Sequence, residues 1–367
     1  MQEKTKIIRS ILAAKALKKP YKINFAITSC CNSRCQTCNV WRKFKKNPEV
    51  IKNDLSLKEI EKIFKTFPKS IIWLSLSGGE PFLRDDLVLI CKKAVENIPS
   101  LCLISIPSNG LLEKNIVEKT KQILKLPLKN LFLNFSLDGP PPLHDKIRGL
   151  PGSFQKTWST YQKILALSKK EPRLSVNIET TISTYNVNHL ESFLKKLTKN
   201  GHQITITLAH TGYLYKSTPT NKKFTQLGQS EKKIKKITNL IKKNLAFTSP
   251  LGLIQRLYLD KIPSFYQNPQ KQPIPCTALK NSFAIDAQGN ITPCFMWGKI
   301  LGNLKDFNGN FEKFLKTKQS AIAKTKKMIK NQQCPNCWTP CEAYQGIINC
   351  FFVIPCLKNL LRFRAHK

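Results

Sequence analysis

The chain is short of acid, of arginine and of long apolar runs, and each shortage narrows what it does. Asp and Glu number 22 against 61 Lys and Arg, a formal net charge of +39 over 367 residues. Such a surplus invites a nucleic-acid role, yet only nine of the basic residues are arginine. Arginine is the side chain that grips phosphate and base edges bidentately. Lysine spread along the whole length reads instead as a solvated basic surface, and no helix-turn-helix, zinc-finger or RNA-recognition signature accompanies it. No apolar run approaches the ~20 residues of a membrane-spanning helix. The start, Met1 to Lys22, is basic, but Lys15 and Lys18 interrupt any apolar core of a secretory signal, so a cytoplasmic location is expected.

What the chain has is cysteine, thirteen of them, in a sequence that is 41% hydrophobic. A core of that size supports one large domain and a smaller one. Disulfide-dense scaffolds are small and secreted, so thiols in this number point to metal or redox chemistry. The densest early group is Cys31-Asn-Ser-Arg-Cys35-Gln-Thr-Cys38. Thiolate is the ligand that iron–sulfur clusters use, commonly four per cluster. Three cysteines in one loop cover three irons of a cubane and leave the fourth open to a small molecule. A structural zinc site normally closes its tetrahedron. Cys30 is directly adjacent, points elsewhere and reads as a bystander.

From Tyr21 to about Tyr215 short β-rich runs alternate with segments of helical spacing. The strands expected are Lys22–Thr28, Ile71–Ser77, Leu101–Ile106, Leu131–Ser136, Leu174–Thr181 and Gln203–Leu208. The helices expected are Leu57–Phe67, Asp86–Ile98, Leu111–Leu124, Phe154–Leu167 and Val187–Leu197. Six β/α units predict an α/β fold, a parallel sheet curled into part of a barrel. Polar motifs follow successive strands: the cysteine loop, then Ser77-Gly78-Gly79-Glu80-Pro81, Ser108-Asn109-Gly110 and Ser136-Leu137-Asp138-Gly139-Pro140. Each alone could be a turn. Together they fall at the carboxyl ends of strands, where parallel barrels keep their chemistry.

These motifs, in this order over residues 21–215, resemble the radical S-adenosylmethionine (SAM) superfamily. The resemblance implies a partial (β/α)6 TIM-like barrel and a [4Fe–4S] cluster on Cys31, Cys35 and Cys38, with SAM on the open iron. It implies reductive cleavage of SAM to a 5′-deoxyadenosyl radical that takes a hydrogen atom from substrate, and an electron donor such as flavodoxin or ferredoxin. Gly78, Gly79, Glu80 and Pro81 then face the methionine end of SAM, the glycines permitting close approach and Glu80 suiting the ammonium. Ser136 and Arg148 match a pair that meets the methionine carboxylate. Asn109 and Asp138 are candidates for the ribose side. The local alternatives are that Asp138 braces its turn and that Arg148 pairs with Asp145. Cys91 and Cys102 read as small core residues.

A second cysteine set follows a lysine-rich helical linker over 216–275, with one helix expected around Lys232–Leu245 and a proline-laden stretch from Pro263 to Pro275. Cys276 precedes an Asp286-x-x-Gly289-Asn290 hairpin signal that delivers Cys294, and Cys334, Cys337 and Cys341 lie within eight residues. This spacing resembles the auxiliary-cluster extension called SPASM or its shorter twitch form, over residues 276–345. Five cysteines suffice for one auxiliary [4Fe–4S] cluster with one to spare; a second would recruit Cys350 or Cys356. A zinc site with four thiolates fits the same spacing. Phe295 follows Cys294 where oxidising relatives often carry an acid, so no base is evident. His210, Tyr213 and Tyr215 either face substrate or pack. Residues 1–20 form a basic arm, and the apolar-basic tail over 346–367 either packs on the auxiliary domain or touches a membrane surface. The sequence thus predicts a radical SAM oxidoreductase or modifying enzyme acting on a peptide, glycan or lipid-like precursor. The alternative is a non-catalytic iron–sulfur or zinc protein that binds a partner or nucleic acid.

Overall fold

Short strands rich in Ile, Leu, Phe and Thr alternate with amphipathic helices, and that alternation builds the scaffold. The computed structural model describes residues 19–38, 40–210, 212, 230–245 and 250–353. Its first part runs β1 (Lys22–Thr28), α1 (Val40–Lys46), α2 (Leu57–Lys65), β2 (Trp73–Gly78), α3 (Leu87–Asn97), β3 (Leu103–Ser108), α4 (Glu113–Leu124) and β4 (Leu131–Ser136). It continues through α5 (Pro141–Arg148), α6 (Ser153–Ser168), β5 (Leu174–Ile182), α7 (Leu190–Lys199) and β6 (Ile204–Leu208). The six strands pair in parallel in chain order, giving the partial barrel expected. α2 starts where Ser56 and Glu59 close a capping box. α5, which the sequence reading did not anticipate, opens on prolines and stops at the left-handed Gly149.

One face of every strand is apolar and fully buried: Phe25 meets Phe64 of α2, and Phe135 meets Tyr161 of α6. Each such side chain contributes about 1.5–3 kcal/mol by leaving water. The other face is polar. In β2, β4, β5 and β6 the alternate residues stay partly exposed, among them Ser75, Asn134, Ser136, Glu179, Thr205 and Thr207. Cross-strand partners keep one face throughout, with Ser136 opposite Glu179 and Glu179 opposite Thr205. The strands therefore present a mainly polar inner face to the barrel lumen, broken by Trp73 and Phe132.

The second part comprises α8 (Glu231–Lys243), α9 (Pro250–Gln267), β7 (Ser282–Ile285), β8 (Asn290–Thr292), β9 (Gly302–Asn303), α10 (Phe311–Thr317), α11 (Gln319–Lys330) and α12 (Pro340–Val353). α9 occupies part of the stretch expected to be linker and carries Pro263 inside it. Burial of Ile254, Tyr258, Leu259, Ile262 and Phe265 outweighs the ~3 kcal/mol that an interior proline costs a helix. β7 pairs in parallel with β1, so β7, β8 and β9 prolong the barrel sheet to nine strands. α12 crosses the gap between the sheet ends. Glu342 accepts from Asn24 of β1 and Ser282 of β7, while Tyr344 bonds Thr205 of β6. Of the tail, Ile347 and Ile348 pack in α12; Tyr213, Tyr215, Cys356 and most of the basic arm lie outside the described residues. Among the described residues no helix is long and apolar enough to cross a membrane.

Candidate active site

The early cysteines sit in the loop after β1, and neighbouring backbone fixes that loop. Arg34 N donates to Arg148 O (3.0 Å) and Gln36 N to Ile147 O (2.8 Å), so the loop runs beside the end of α5. A Cβ on Gly149 would stand 2.5 Å from Arg34 O, which together with its φ of 68° makes glycine necessary there. Trp41 Nε1 donates to Cys35 O at 3.0 Å. At the base of the loop, Ser29 is held by Asp54, and Gln288 of the β7–β8 turn bonds both. Burial first, with the neighbouring thiols adding to it, lifts the Cys31 thiol well above its ordinary range and the Cys38 thiol to about 12. Such thiols stay protonated until a metal displaces the protons. Arg148 Nη1 lies 3.6 Å from Cys35 Sγ.

Gly78 and Gly79 are demanded by this loop. A Cβ on Gly79 would lie 1.9 Å from Cys30 O, and one on Gly78 2.3 Å from Thr28 O. Glu80 N donates to the same Cys30 carbonyl at 2.7 Å, so Cys30 contributes its backbone rather than its thiol. Pro81 opens a 3-10 turn that Glu80 caps. The Glu80 carboxyl, 1% exposed, accepts from Asn109 N (2.7 Å), Ser108 Oγ (3.0 Å) and Phe82 N (3.2 Å). Burial nevertheless raises its pKa to about 7, against the pull of those donors and of Arg148. Asn109 is committed on both side-chain atoms, to Asn32 Oδ1 and Leu111 N.

Arg148 pairs with Asp138, not with Asp145. Its Nη2 is 2.7 Å from Asp138 Oδ2, while Asp145 accepts from Gly152 N, Ser153 Oγ and Phe154 N at the start of α6. Asp138 is 1% exposed and its second oxygen takes Thr181 N, so it braces the ends of β4 and β5. Arg148 Nε is buried without a partner among the described residues. An orphaned guanidinium N–H beside three gathered thiols and a glycine cradle fits a carboxylate-bearing ligand next to a cluster. Glu179, absent from the sequence reading, also faces this group; burial raises its pKa, with Arg148 opposing and Asp138 adding. A Ser/Asn/Glu alternation on a strand reads equally well as a solvent face, so nothing in the sequence marked it.

The later cysteines gather on the other side of the lumen. Cys276, Cys294, Cys334 and Cys337 line one pocket with Met296 and Trp297. Burial raises all four thiols; Cys294 also feels Cys337 and Cys276, Cys337 feels Cys276, and Cys276 feels Cys334. Cys341 belongs to the same group, its charge reaching Cys276, Cys294 and Cys337; its Sγ is 3.0 Å from Thr339 Oγ1, and its carbonyl takes Lys22 Nζ from β1 at 2.9 Å. Trp338, between Cys337 and Cys341, stacks on Tyr258 and donates to its carbonyl. His210 packs on Phe265 and lies 3.4 Å from the Trp338 backbone; burial lowers its pKa to about 4. Cys91 and Cys102 are core residues as expected. Among the described residues no three Cys, His, Asp or Glu side chains converge on a point for one metal ion; a cluster takes its thiolates on different irons, so they need not converge.

Residues 25–197 match the family model described as the radical SAM superfamily. This barrel belongs to the radical SAM superfamily. A GTP 3′,8-cyclase of Alkaliphilus metalliredigens is 31% identical over 173 residues, 47% of this chain and 50% of that protein. The sporulation killing factor maturation protein SkfB of Bacillus subtilis is 23% identical over 185 residues, 50% of this chain and 40% of that protein. The chain thus spans about half the length of the curated radical SAM relatives it matches, or less. Among solved structures, native anSMEcpe with bound AdoMet and Cp18Cys peptide superposes with a TM-score of 0.57 at 16% identity, covering 93% of this chain and 98% of that one. Streptococcus suis SuiB bound to its precursor peptide SuiA gives a TM-score of 0.51 at 17% identity, over 76% and 60%. These similarities establish a common radical SAM fold, a family that implies a [4Fe–4S] cluster and SAM.

Proposed function

We propose that the chain is a radical SAM enzyme that modifies a polar precursor held in the barrel lumen, with a second cluster on its far wall. Cys31, Cys35 and Cys38 would hold the first [4Fe–4S] cluster. Together, cluster and SAM supply a one-electron cleavage that yields a 5′-deoxyadenosyl radical able to abstract hydrogen. The protein's share is placement. Glu80 and the orphaned Arg148 Nε offer an acceptor and a donor of matching charge to the ammonium and carboxylate of one amino acid moiety, with Ser136 on the same wall; Asp138 orients Arg148. Asn109 and Asp138 reach any ribose only by giving up the bonds described above. Cys276, Cys294 and Cys337 would hold the auxiliary [4Fe–4S] cluster, with one of Cys334 and Cys341 as the fourth ligand and the other as the spare thiol.

The observation that carries this reading is the pair of buried thiol groups facing one polar lumen from opposite ends. The same polarity favours a peptide or glycan precursor over a lipid. The relative SkfB is a maturation protein and the structural neighbour SuiB binds a precursor peptide, which makes a peptide the first class to try. Anaerobic reconstitution tests the proposal: about eight irons per chain and reductant-dependent 5′-deoxyadenosine are expected. Bound zinc with no SAM cleavage contradicts it and favours a non-catalytic metal protein.

A further inference from the structure

The inner face of the lumen carries a carboxylate that makes no hydrogen bond or ion pair among the described residues. At its floor Lys22 and Glu342 are buried together, Lys22 also lying 4.1 Å from the centre of the Trp73 ring. At its rim Arg148 is paired with Asp138, and Glu80 is satisfied by three donors. Glu179 is different. It stands mid-strand on the inner face of β5, between Ser136 of β4 and Thr205 of β6, and its side chain keeps partial exposure. Its carboxylate has no hydrogen-bond or ion-pair partner among the described residues, although the chain carries 61 Lys and Arg. Its field reaches Arg148 and Asp138 on one side and Tyr258, Tyr344 and Cys341 on the other. It therefore lies between the two thiol groups, where a substrate would sit. A carboxylate in a confined, poorly solvated chamber is costly unless it meets a cation or strong donors.

We propose that Glu179 is the docking point for a protonated amine or guanidine of the substrate, held in the lumen between the barrel thiols and the auxiliary thiols. This rests on the lumen being the substrate chamber of a radical SAM enzyme. Thr205 beside it on β6 and Tyr344 of α12, hydrogen-bonded to each other, line the side away from Arg148, so the site prefers a cation carrying several N–H donors to a neutral isostere. The cation could belong to a peptide side chain or to an amino sugar, and small probes separate the two. Nα-acetyl-lysinamide and glucosamine are the cationic probes; Nα-acetyl-norleucinamide and N-acetylglucosamine are their neutral counterparts.

Binding is measured by saturation-transfer NMR and thermal shift on the reconstituted full chain without reductant. At least one cationic probe is expected to bind about ten-fold more tightly than its neutral counterpart, equally well with and without saturating SAM. Glu179→Gln abolishes that preference, Glu179→Asp weakens but retains it, and Glu312→Gln, an exposed acid of α10, leaves it unchanged. Absence of any preference, a preference that survives Glu179→Gln, or competition by SAM would each overturn the assignment. The same preparation is scored for reductant-dependent 5′-deoxyadenosine. A native protein that cleaves SAM but shows no preference overturns the role of Glu179 alone; one that cleaves no SAM overturns the enzyme reading beneath it.

Discussion

Asp138 is sealed from water and Arg148 largely so, and the two stand as an ion pair. Arg148→Met should lower the unfolding free energy by roughly 3–5 kcal/mol, since it strands a buried carboxylate. Adding Asp138→Asn should restore much of that loss in urea melts; a double variant no more stable than the single one would contradict the pairing. His144 gives a different signal. It is 1% exposed, accepts from Asp138 N through Nδ1, and is held to about 4 by burial first and the Arg148 charge second. The unfolded chain binds that proton near 6.5 and the folded chain only near 4. Stability is therefore whole above pH 6.5 and falls as the pH drops toward 4, by up to about 3 kcal/mol. His210 acts in the same direction. Urea titrations across this range should show the decline, and His144→Asn should flatten part of it.

At the scale of elements, α12 joins the barrel to the auxiliary region through a buried charge. Burial works against the charged forms of both Lys22 and Glu342, and each supports the other. Lys22→Met should destabilise the chain by about 3–5 kcal/mol, and Lys22→Met/Glu342→Leu should recover most of it. Failure of the second change to compensate would show that the two do not act together. The six barrel strands were legible because their hydrophobic runs are short and separated by helical spacing; β4 was found residue for residue. α5 was not, because Pro140-Pro141-Pro142 reads as a turn until Gly149 is seen to cap a helix. α9 was hidden by Pro263. Gly78 and Gly79 were recognised, but for approach to a ligand; their geometry answers first to the Thr28 and Cys30 carbonyls. Glu179 was invisible because only closure of the sheet turns a polar strand face into a lumen.

For the whole molecule, the barrel and the auxiliary segment are not separate bodies. β7 lies in register with β1 more than 250 residues away, a pairing without any local signature in the sequence. The hairpin turn that follows reaches back through Gln288 to Ser29 and Asp54, just before the first cysteine. Both thiol groups are thus referenced to the two edges of one strand. The two sets can still be emptied independently, because their ligands lie in different loops. The most direct test is Cys35→Ala after anaerobic reconstitution, read by iron content and 5′-deoxyadenosine. About four irons are expected to stay on the auxiliary thiols, with no SAM cleavage. A variant that still makes 5′-deoxyadenosine would contradict that expectation.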